Sequence, residues 1–297
     1  MNGIILNTKR FEIHDGPGMR TTLFLKGCPL RCKWCHNPES YKMAAELAFY
    51  EHKCINCGIC TSVCPQGAHT VKDGVHTFDR DKCIACGKCV TVCPKEALLL
   101  FGKEVSPSEI LPALLEDKVF FDESHGGVTI SGGEPLMQHE FAAELLKLLK
   151  ENGVSTALDT CLYASRESLD EVMPYVDIFL IDIKAIDSDV HKACTGVSKE
   201  IILDNLRYID SLGKAYEIRI PYVPGKNDGE IEKIAEFICT LKNADRVKLL
   251  AYHDLSRTKY SALGMDYTMG EQKVPSKDEY EKAFEILKNA GINAIHK

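Results

Sequence analysis

Three cysteines stand close together in the stretch GCPLRCKWCHN, residues 27–37, at positions Cys28, Cys32 and Cys35. Thiolates at such short spacing bind zinc or iron, and a zinc or ordinary iron-sulfur site is usually closed by four protein ligands. A triplet without a fourth cysteine nearby therefore predicts a metal centre with one coordination position left open. The alternative is a zinc site that His36 completes, because imidazole is a common zinc ligand.

Two longer cysteine runs follow, CINCGICTSVCP from Cys54 and CIACGKCVTVCP from Cys83, and they match position by position. This spacing is typical of bacterial ferredoxins with two 4Fe-4S clusters, in which the last cysteine of each run binds the cluster of the other run. A pair of zinc knuckles is the alternative. The runs predict two auxiliary clusters, the first held by Cys54, Cys57, Cys60 and Cys93 and the second by Cys64, Cys83, Cys86 and Cys89.

The composition limits the classes of protein that fit. Fourteen cysteines in 297 residues, without an N-terminal signal-peptide pattern, indicate metal or cluster ligands in the reducing cytoplasm rather than disulfides. The formal net charge of −7 and the pI near 5.8 argue against a nucleic-acid partner. No apolar stretch reaches the roughly 18 residues of a membrane helix, so we expect a cytoplasmic protein without a membrane partner. Cys161, Cys194 and Cys239 lie outside the three groups and are interpreted as buried structural thiols.

Strand and helix patterns alternate after the cysteine-rich segment, and these elements must position the reactive groups. Apolar segments predict strands that begin near Thr21, Gly127, Val154, Ile178, Tyr216 and Val247. Helices are predicted from Ser106, where SPSE forms a capping box, and from His139, Ser165, Ser198, Asp228 and Ser276. The resulting strand-helix units predict the α/β class, as a partial TIM-like (β/α)6 barrel of residues 1–47 and 104–297 with a bacterial-ferredoxin-like insert of residues 48–103.

The loops after the strands are where a barrel of parallel strands carries its chemistry. The first predicted strand ends at Cys28, and the second is followed by GGE, residues 132–134. Asp182 and Lys184 close another apolar strand. We therefore expect these groups to lie together at the mouth of the barrel.

The cysteine triplet, with an aromatic residue before its last cysteine and with GGEP at residues 132–135, resembles the radical S-adenosylmethionine superfamily. The segments HDGPGMRTTLFLKGCPLRCKWCHNPES, SGGEPLMQ, DTCLYA, DIKAID, HKACTGVS, RIPYVPG and LLAYH together are similar to the glycyl radical enzyme activating enzymes. The family includes the pyruvate formate-lyase activating enzyme, and the likeness is to its subgroup with a ferredoxin-like insert that carries two clusters. It runs from about Ile5 to Lys259.

This resemblance implies what fills the open position at the triplet. The amino and carboxylate groups of S-adenosylmethionine chelate the open iron, and an electron from the reduced cluster cleaves the sulfonium. The product is a 5'-deoxyadenosyl radical, which takes a hydrogen atom from a glycine Cα of a partner glycyl radical enzyme. The implied cofactors are S-adenosylmethionine and three 4Fe-4S clusters, one that binds S-adenosylmethionine and two auxiliary, with ferredoxin or flavodoxin as the electron donor.

The resemblance also assigns roles to individual residues. The implied S-adenosylmethionine contacts are Trp34, Gly132, Gly133, Glu134, Asp182, Lys184, Arg219 and His253. An oxygen-rich site for a monovalent cation is implied at Asp159, Thr160, Leu180 and Asp182. The loop implied to meet the partner's glycine-bearing peptide is His14, Asp15, Gly16, Pro17 and Gly18. Each assignment has a structural alternative, such as core packing for Trp34, a salt bridge for Arg219 or a simple turn for the glycines.

Two other functions stay open on the sequence. One is a radical enzyme that acts on a small molecule or matures a peptide, although such maturases commonly carry auxiliary clusters after the barrel rather than between its first and second strands. The other is an electron-transfer protein that does not turn over S-adenosylmethionine. Similar activases have partner enzymes that act on choline, glycerol, hydroxyproline, isethionate or hydroxyphenylacetate. No residue in this sequence selects among these partners.

Overall fold

A computed structural model describes residues 1–244 and 246–296, so the predicted end of the barrel at Lys297 lies outside the described residues. The strands are β1 (Gly3–Glu12), β2 (Arg20–Leu25), β3 (Glu46–Phe49), β4 (His69–Lys72), β5 (Val75–Phe78), β6 (Leu98–Phe101), β7 (Lys103–Val105), β8 (Gly127–Gly132), β9 (Ser155–Thr160), β10 (Ile178–Asp182), β11 (Tyr216–Tyr222), β12 (Arg246–Ala251) and β13 (Ala294–Ile295). The helices are α1 (Ile59–Val63), α2 (Lys88–Thr91), α3 (Pro107–Leu115), α4 (Lys118–Ser124), α5 (His139–Glu151), α6 (Arg166–Val172), α7 (Ser188–Thr195), α8 (Glu200–Ser211), α9 (Ile231–Ile238), α10 (Arg257–Leu263) and α11 (Lys277–Asn289).

The main sheet has the strand order β13-β12-β11-β10-β9-β8-β2-β1-β7. All neighbouring pairs from β13 to β2 are parallel, and helices connect them. The predicted parallel strands, β2 and β8 to β12, are thereby confirmed as consecutive neighbours. In the described part of the chain the edge strands β13 and β7 do not pair, so the sheet is a partial barrel rather than a closed one.

Strands β1, β7 and β13 were not predicted. β1 pairs antiparallel with β2 on one side and with β7 on the other. Residues 7–11 of β1 are exposed, and the pairing with β2 carries register shifts. This half of β1 therefore lacks the alternation of apolar and polar residues by which a half-buried strand is recognised.

The predicted helices are present with small changes at their ends. The side chain of Ser106 accepts a hydrogen bond from the amide of Glu109, and the Glu109 carboxylate accepts one from the amide of Ser106. The predicted capping box therefore forms. Helix α5 buries Leu145, Leu146 and Leu149 against the sheet. No helix in the described part of the chain combines the length and apolar composition that a membrane crossing requires.

The insert between β2 and β8 has a structure of its own. Strands β3 and β6 form an antiparallel ladder where the chain leaves and returns, and β4 and β5 form a hairpin between the two cysteine runs. Gly58 and Gly87 cap the short helices α1 and α2 with nearly equal φ values of 76° and 73°. The predicted bounds of 48–103 fall within β3 at one end and at the start of β7 at the other.

Arg80 attaches this insert to the barrel. Its guanidinium donates to the carbonyl oxygen of Leu47 at 3.0 Å and to that of Ala262, in α10, at 2.6 Å. Ala48 of β3 packs against Ala262 and Leu263 beside it. The insert is therefore held to the C-terminal part of the barrel as well as by its own chain connections.

Arg20 is the largest side chain that is completely buried in the barrel. It donates to the Thr129 hydroxyl at 2.7 Å and to the carbonyl oxygens of Val128 at 2.7 Å, Ser155 at 3.0 Å and Pro17 at 3.2 Å. Burial lowers its pKa to about 10, a value at which the side chain stays charged at neutral pH. One buried cation thus ties β2, β8, β9 and the loop before β2 together.

Replacing Arg20 tests this connection. We expect Arg20→Met to lower the free energy of unfolding by about 2–4 kcal/mol, because several buried acceptors lose their donor at once. Denaturant titration of the anaerobically purified chain measures the change. Arg207→Met is the matched control, since Arg207 is exposed, pairs with Asp204 on its own helix and lies over the ring of Phe237. Equal losses in the two variants would contradict the role given to Arg20.

Candidate functional site

The three-cysteine loop begins two residues after β2 ends, at the carboxyl end of the parallel strands. Its backbone is fixed by the amides of Arg31 and Lys33, which donate to the carbonyl oxygens of Thr195 at 2.7 Å and Cys194 at 3.0 Å, at the end of α7. The Cys35 amide donates to the Cys32 carbonyl oxygen at 3.0 Å. The end of α7 thus fixes the backbone of the cysteine loop.

Helix α10 supports the same loop through two residues that the sequence did not indicate. The hydroxyl of Tyr260 donates to the carbonyl oxygen of Cys35 at 3.2 Å. The ammonium of Lys259 donates to the His36 carbonyl oxygen at 2.9 Å and pairs with the carboxylate of Glu39 at 2.5 Å. These partners are more than 200 residues apart in the sequence, and no local pattern connects them.

The cysteines of the triplet fit a cationic centre. Burial raises the pKa of the Cys28 thiol to about 12, and it also raises the pKa values of Cys32 and Cys35. Thiols of this kind ionise when a metal replaces their protons. The three thiols form one small apolar cluster with Leu30.

Among the described residues, one group of three ligand atoms lies within 4.8 Å of one another, and it consists of Cys60, His69 and His76 in the insert. The choice between iron-sulfur clusters and zinc at the cysteine groups stays a prediction.

His36 makes other contacts than those of a fourth zinc ligand. Its ring stacks on that of His253, with centroids 3.9 Å apart and an angle of 18° between the planes. Its Nε2 donates to the carbonyl oxygen of His253 at 3.0 Å. The predicted His253 thus lies beside the cysteine loop, in the segment after β12.

The GGE segment meets the end of β2 without room for side chains. A Cβ on Gly132, whose φ is +121°, would lie 2.2 Å from the amide nitrogen of Leu25. A Cβ on Gly133 would lie 2.1 Å from the carbonyl oxygen of Gly27, which accepts a hydrogen bond from the amide of Glu134 at 2.7 Å. The glycines therefore let β8 approach the cysteine loop, whatever else they bind.

The carboxylate of Glu134 is fully buried and is surrounded by donors. It accepts from the Thr160 hydroxyl at 2.7 Å, from the Leu136 amide at 3.0 Å, and from the amide and thiol of Cys161 at 2.8 Å each. Burial raises its pKa, while these hydrogen bonds lower it in part. The Glu134 side chain therefore connects β8 to the end of β9, and the backbone of the segment faces the cysteine loop.

Cys161 is a fourth thiol beside the triplet. It is buried in the same apolar cluster as Cys32 and Leu30, and its pKa is raised well above the usual value, first by burial and then by the charge of Glu134. The interpretation as a buried thiol holds for Cys161 and also for Cys194. It was wrong for Cys239, which is exposed because it follows α9 at the surface.

Asp182 is the last residue of β10 and Lys184 follows it, and their side chains pair at 2.6 Å. Lys184 is buried, and burial alone lowers its pKa, but Asp182 and the neighbouring Cys32 and Cys161 raise it more strongly. An ammonium held beside the cysteine loop is placed to receive a carboxylate, so the geometry suits the predicted role.

Arg219 is the centre of a buried ionic network rather than of a surface salt bridge. Its guanidinium lies 3.4 Å from the Glu217 carboxylate, 3.6 Å from that of Asp159 and 3.8 Å from that of Asp15. It also donates to the carbonyl oxygen of His14 at 2.7 Å. Burial lowers its pKa, but the surrounding carboxylates raise it by more.

The predicted cation-site residues are neighbours, but their oxygen atoms have other partners. In the parallel register Leu180 lies opposite Asp159. Asp159 accepts from the Ser131 hydroxyl at 2.7 Å, and its pKa is raised to about 6 by burial, against the lowering effect of Arg219. The Thr160 hydroxyl is bonded to Glu134. The cation site stays a prediction.

The predicted peptide-binding loop, His14 to Gly18, is anchored inside the partial barrel. The hydroxyl of Thr22 donates to the Asp15 carboxylate at 2.9 Å, and that of Thr129 donates to the Asp15 carbonyl oxygen at 2.6 Å. A Cβ on Gly18 would lie 2.5 Å from the backbone around Gly126. The loop is therefore a fixed surface next to the Arg219 network.

Trp34 turns away from the solvent into a second apolar cluster. This cluster consists of Trp34, Cys194, Val223, Tyr252 and Met269. Core packing, the alternative considered for Trp34, is therefore present. Its implied contact with S-adenosylmethionine stays a prediction.

Two cavities in the insert collect the cysteines as the ferredoxin rule predicts. One is lined by the first predicted set, Cys54, Cys57, Cys60 and Cys93. The other is lined by the second predicted set, Cys64, Cys83, Cys86 and Cys89. Each cavity thus receives its last cysteine from the opposite run.

Two buried histidines on the β4–β5 hairpin lie between these cavities and were missed by the sequence reasoning. His76 lines the first cavity and His69 the second, and their ring nitrogens are 3.1 Å apart. Burial lowers the pKa of His69 to about 4 and also lowers that of His76, so both rings are neutral at pH 7. The internal repeat could have indicated them, because each of these histidines takes the place of a leucine in the other half of the repeat.

Comparisons with known proteins agree with this fold and site. The model of the radical SAM superfamily matches residues 22–238. The (2S)-3-sulfopropanediol dehydratase activating enzyme of Klebsiella oxytoca is 40% identical over 294 residues, 96% of this chain and 92% of that protein. The choline trimethylamine-lyase activating enzyme of Oleidesulfovibrio alaskensis is 42% identical over 272 residues, 89% and 88% of the two chains. A crystal structure of a domain of pyruvate-formate lyase-activating enzyme from Bacteroides vulgatus is 35% identical with a TM-score of 0.50, covering 58% of this chain and 99% of that chain.

An open parallel sheet with a three-cysteine loop at the carboxyl end of its first parallel strand defines a radical SAM protein, and the family match covers most of that sheet. The resemblance to this superfamily is thereby confirmed. Within it, the chain belongs to the activating enzymes of glycyl radical enzymes, with which it shares nearly its full length.

A substitution at Glu134 tests the hydrogen bonds between β8 and β9. We expect Glu134→Gln to lower the free energy of unfolding by about 1–3 kcal/mol, because an amide cannot accept from all of these donors and brings an NH₂ group against them. Denaturant titration is the measurement. Glu140→Gln is the matched control, since Glu140 is exposed in the first turn of α5. A change no larger than that of the control would show that the Glu134 bonds do not stabilise the site.

Proposed function

We propose that this chain activates a glycyl radical enzyme by installing a radical on a glycine of that partner. S-adenosylmethionine bound at a 4Fe-4S cluster supplies the chemistry, since one-electron cleavage gives a species able to take a hydrogen atom from a glycine Cα. The observation that carries the proposal is the open-ended cysteine triplet in a chain that matches activating enzymes over nearly its full length. The side chains of this protein would hold the cofactors and exclude competing hydrogen donors.

Cys28, Cys32 and Cys35 would hold the cluster that binds S-adenosylmethionine. Their thiols lie in one small cluster at the carboxyl end of β2, which supports this assignment. The ammonium of Lys184 would receive the carboxylate of the methionine part, and Asp182 would keep that ammonium in place. The backbone at residues 132–133 would lie against the amino group, with Trp34, Arg219 and His253 as further contacts.

The insert, residues 48–103, would hold two auxiliary 4Fe-4S clusters, one in each four-cysteine cavity. A ferredoxin or flavodoxin would deliver the electron. A monovalent cation would bind near Asp159, Thr160, Leu180 and Asp182. The protein would act in the cytoplasm, where its thiols stay reduced.

The partner's glycine-bearing peptide would meet the loop His14 to Gly18. The anchoring of Asp15 by Thr22 and of the His14 carbonyl oxygen by Arg219 supports a preformed docking surface. The named relatives activate different enzymes, among them a sulfopropanediol dehydratase and a choline lyase. The partner of this chain is therefore proposed only as a member of the same enzyme class.

Replacing one cysteine of the triplet distinguishes the site that binds S-adenosylmethionine from the two sites in the insert. The anaerobically reconstituted, reduced chain should form 5'-deoxyadenosine from S-adenosylmethionine, and Cys32→Ala should abolish this while about eight irons stay bound in the insert. Chromatography of the nucleoside and iron analysis are the measurements. Cys239→Ala is the control, because Cys239 is exposed and outside all cysteine runs. A wild-type chain that forms no deoxyadenosine would instead be an electron carrier.

A partner enzyme distinguishes the activase from other radical enzymes. With S-adenosylmethionine, reductant and a glycyl radical enzyme from the same genome, we expect a protein-based glycyl radical in the electron paramagnetic resonance spectrum, and none with the Cys32→Ala variant. Deoxyadenosine formation without any partner radical, for every glycyl radical enzyme of that genome, would favour a small-molecule or peptide substrate.

A further inference from the structure

The two halves of the insert act as an internal comparison, because most of their sulfur contacts are matched. The amide of Asn56 lies 3.4 Å from the sulfur of Cys54, and that of Ala85 lies 3.4 Å from the sulfur of Cys83, at the same place in the other run. The last cysteine of each run likewise accepts from the amide four residues further on, at 3.3 Å and 3.4 Å. Backbone hydrogen bonds therefore do not distinguish the two cavities.

Exposed charge does not distinguish them either. Lys95 lines the first cavity and Lys88 the second, and both side chains are exposed. Solvent screens two such ammonium groups similarly. The exposed lysines that line the cavities therefore do not distinguish them.

The buried histidines break the symmetry. When the cysteine runs are aligned, His76 takes the position that Leu47 has in the other half, and His69 takes that of Leu98. The strand pairing agrees, because His76 lies opposite Val71 as Leu47 lies opposite Leu100. At one of these positions the first cavity has the ring of His76 where the second has Leu47, and at the other the second cavity has His69 where the first has Leu98. The two cavities therefore have their histidines at different positions around the cysteines.

Both ring nitrogens of His76 lie near sulfur atoms of the first cavity. Nδ1 is 3.6 Å from the sulfur of Cys54, and Nε2 is 3.5 Å from that of Cys60. In either tautomer an N–H of this ring points at one of these sulfurs. When the Nδ1–H of His69 donates to Nε2 of His76, the Nδ1–H of His76 faces Cys54, and in the other arrangement the Nε2–H of His76 faces His69 and Cys60.

We propose that His76, held by His69, makes the two auxiliary clusters unequal by donating an N–H hydrogen bond to a ligand sulfur of the first one. The proposal rests on the two clusters of the proposed function. A donor to a cluster thiolate stabilises the reduced form, which carries one more negative charge, and so raises the reduction potential. The first cluster, bound by Cys54, Cys57, Cys60 and Cys93, therefore has a higher potential than the second.

Removing and adding the donor tests this. In the full-length Cys32→Ala background, which isolates the auxiliary clusters, an anaerobic potentiometric titration followed by electron paramagnetic resonance measures both midpoint potentials. We expect His76→Leu to shift the higher midpoint downward and leave the other in place. His76→Asn, which retains an N–H near the position of Nδ1, should restore part of the shift. Leu47→His should raise the lower midpoint.

The possible results distinguish a failure of the role proposed for His76 from an absence of the auxiliary clusters. Unchanged midpoints in both His76→Leu and Leu47→His would overturn the role of His76, with about eight irons still bound. Loss of about half of the irons in His76→Leu would overturn it too, because His76 would then be a ligand rather than a hydrogen-bond donor. A Cys32→Ala protein without these irons would instead remove the proposed auxiliary clusters. Leu47→His keeps the test valid if the buried His76→Leu change disturbs folding, and His52→Leu, on the surface of the insert, is the control.

Discussion

The close approach of β8 to the end of β2 is the constraint on which the site depends. Leu25 and Gly27 leave no space for a Cβ at residues 132 and 133, so only glycine allows the two strand ends to meet. That meeting brings Glu134 to the base of the cysteine loop, where it accepts from the backbone and side chains that end β9. Three consecutive elements of the barrel are thereby joined at the point where the thiols are presented. The cysteines are thereby held by their surroundings, and the nearby ammonium of Lys184 is held by Asp182 at the end of β10.

Much of this arrangement could be predicted from the sequence, for identifiable reasons. The parallel strands are continuous apolar runs, and the cysteine spacing reports ligand sets directly, since ligands on one loop must be close in sequence. The partners of Glu134, the packing of Trp34 and the support from Lys259 and Tyr260 could not be read in this way. Each depends on residues brought together from distant elements, and neither periodicity nor spacing records such contacts. β1 escaped prediction because its outer half is exposed and polar.

The insert shows how a repeated sequence can acquire two different halves. Its backbone hydrogen bonds to sulfur recur in both cysteine runs, as do the glycine caps of α1 and α2. Among the differences are buried side chains on the pairing strands, where a leucine in one half stands for a histidine in the other. Duplication of a cysteine run thus preserves the ligand geometry, while single substitutions at the cavity wall can alter each half independently.

The position of the insert in the chain also has a consequence for biosynthesis. Residues 46–101 leave the ribosome before β8 and all later parallel strands, and their ladder of β3 with β6 closes within the segment itself. The two cysteine cavities of this segment are lined by its own residues. The triplet loop is translated even earlier, yet its backbone partners at Cys194 and Thr195 and its support from Tyr260 are translated after all strands up to β10. The first cysteines to be synthesised therefore belong to the cysteine group whose surroundings are completed last.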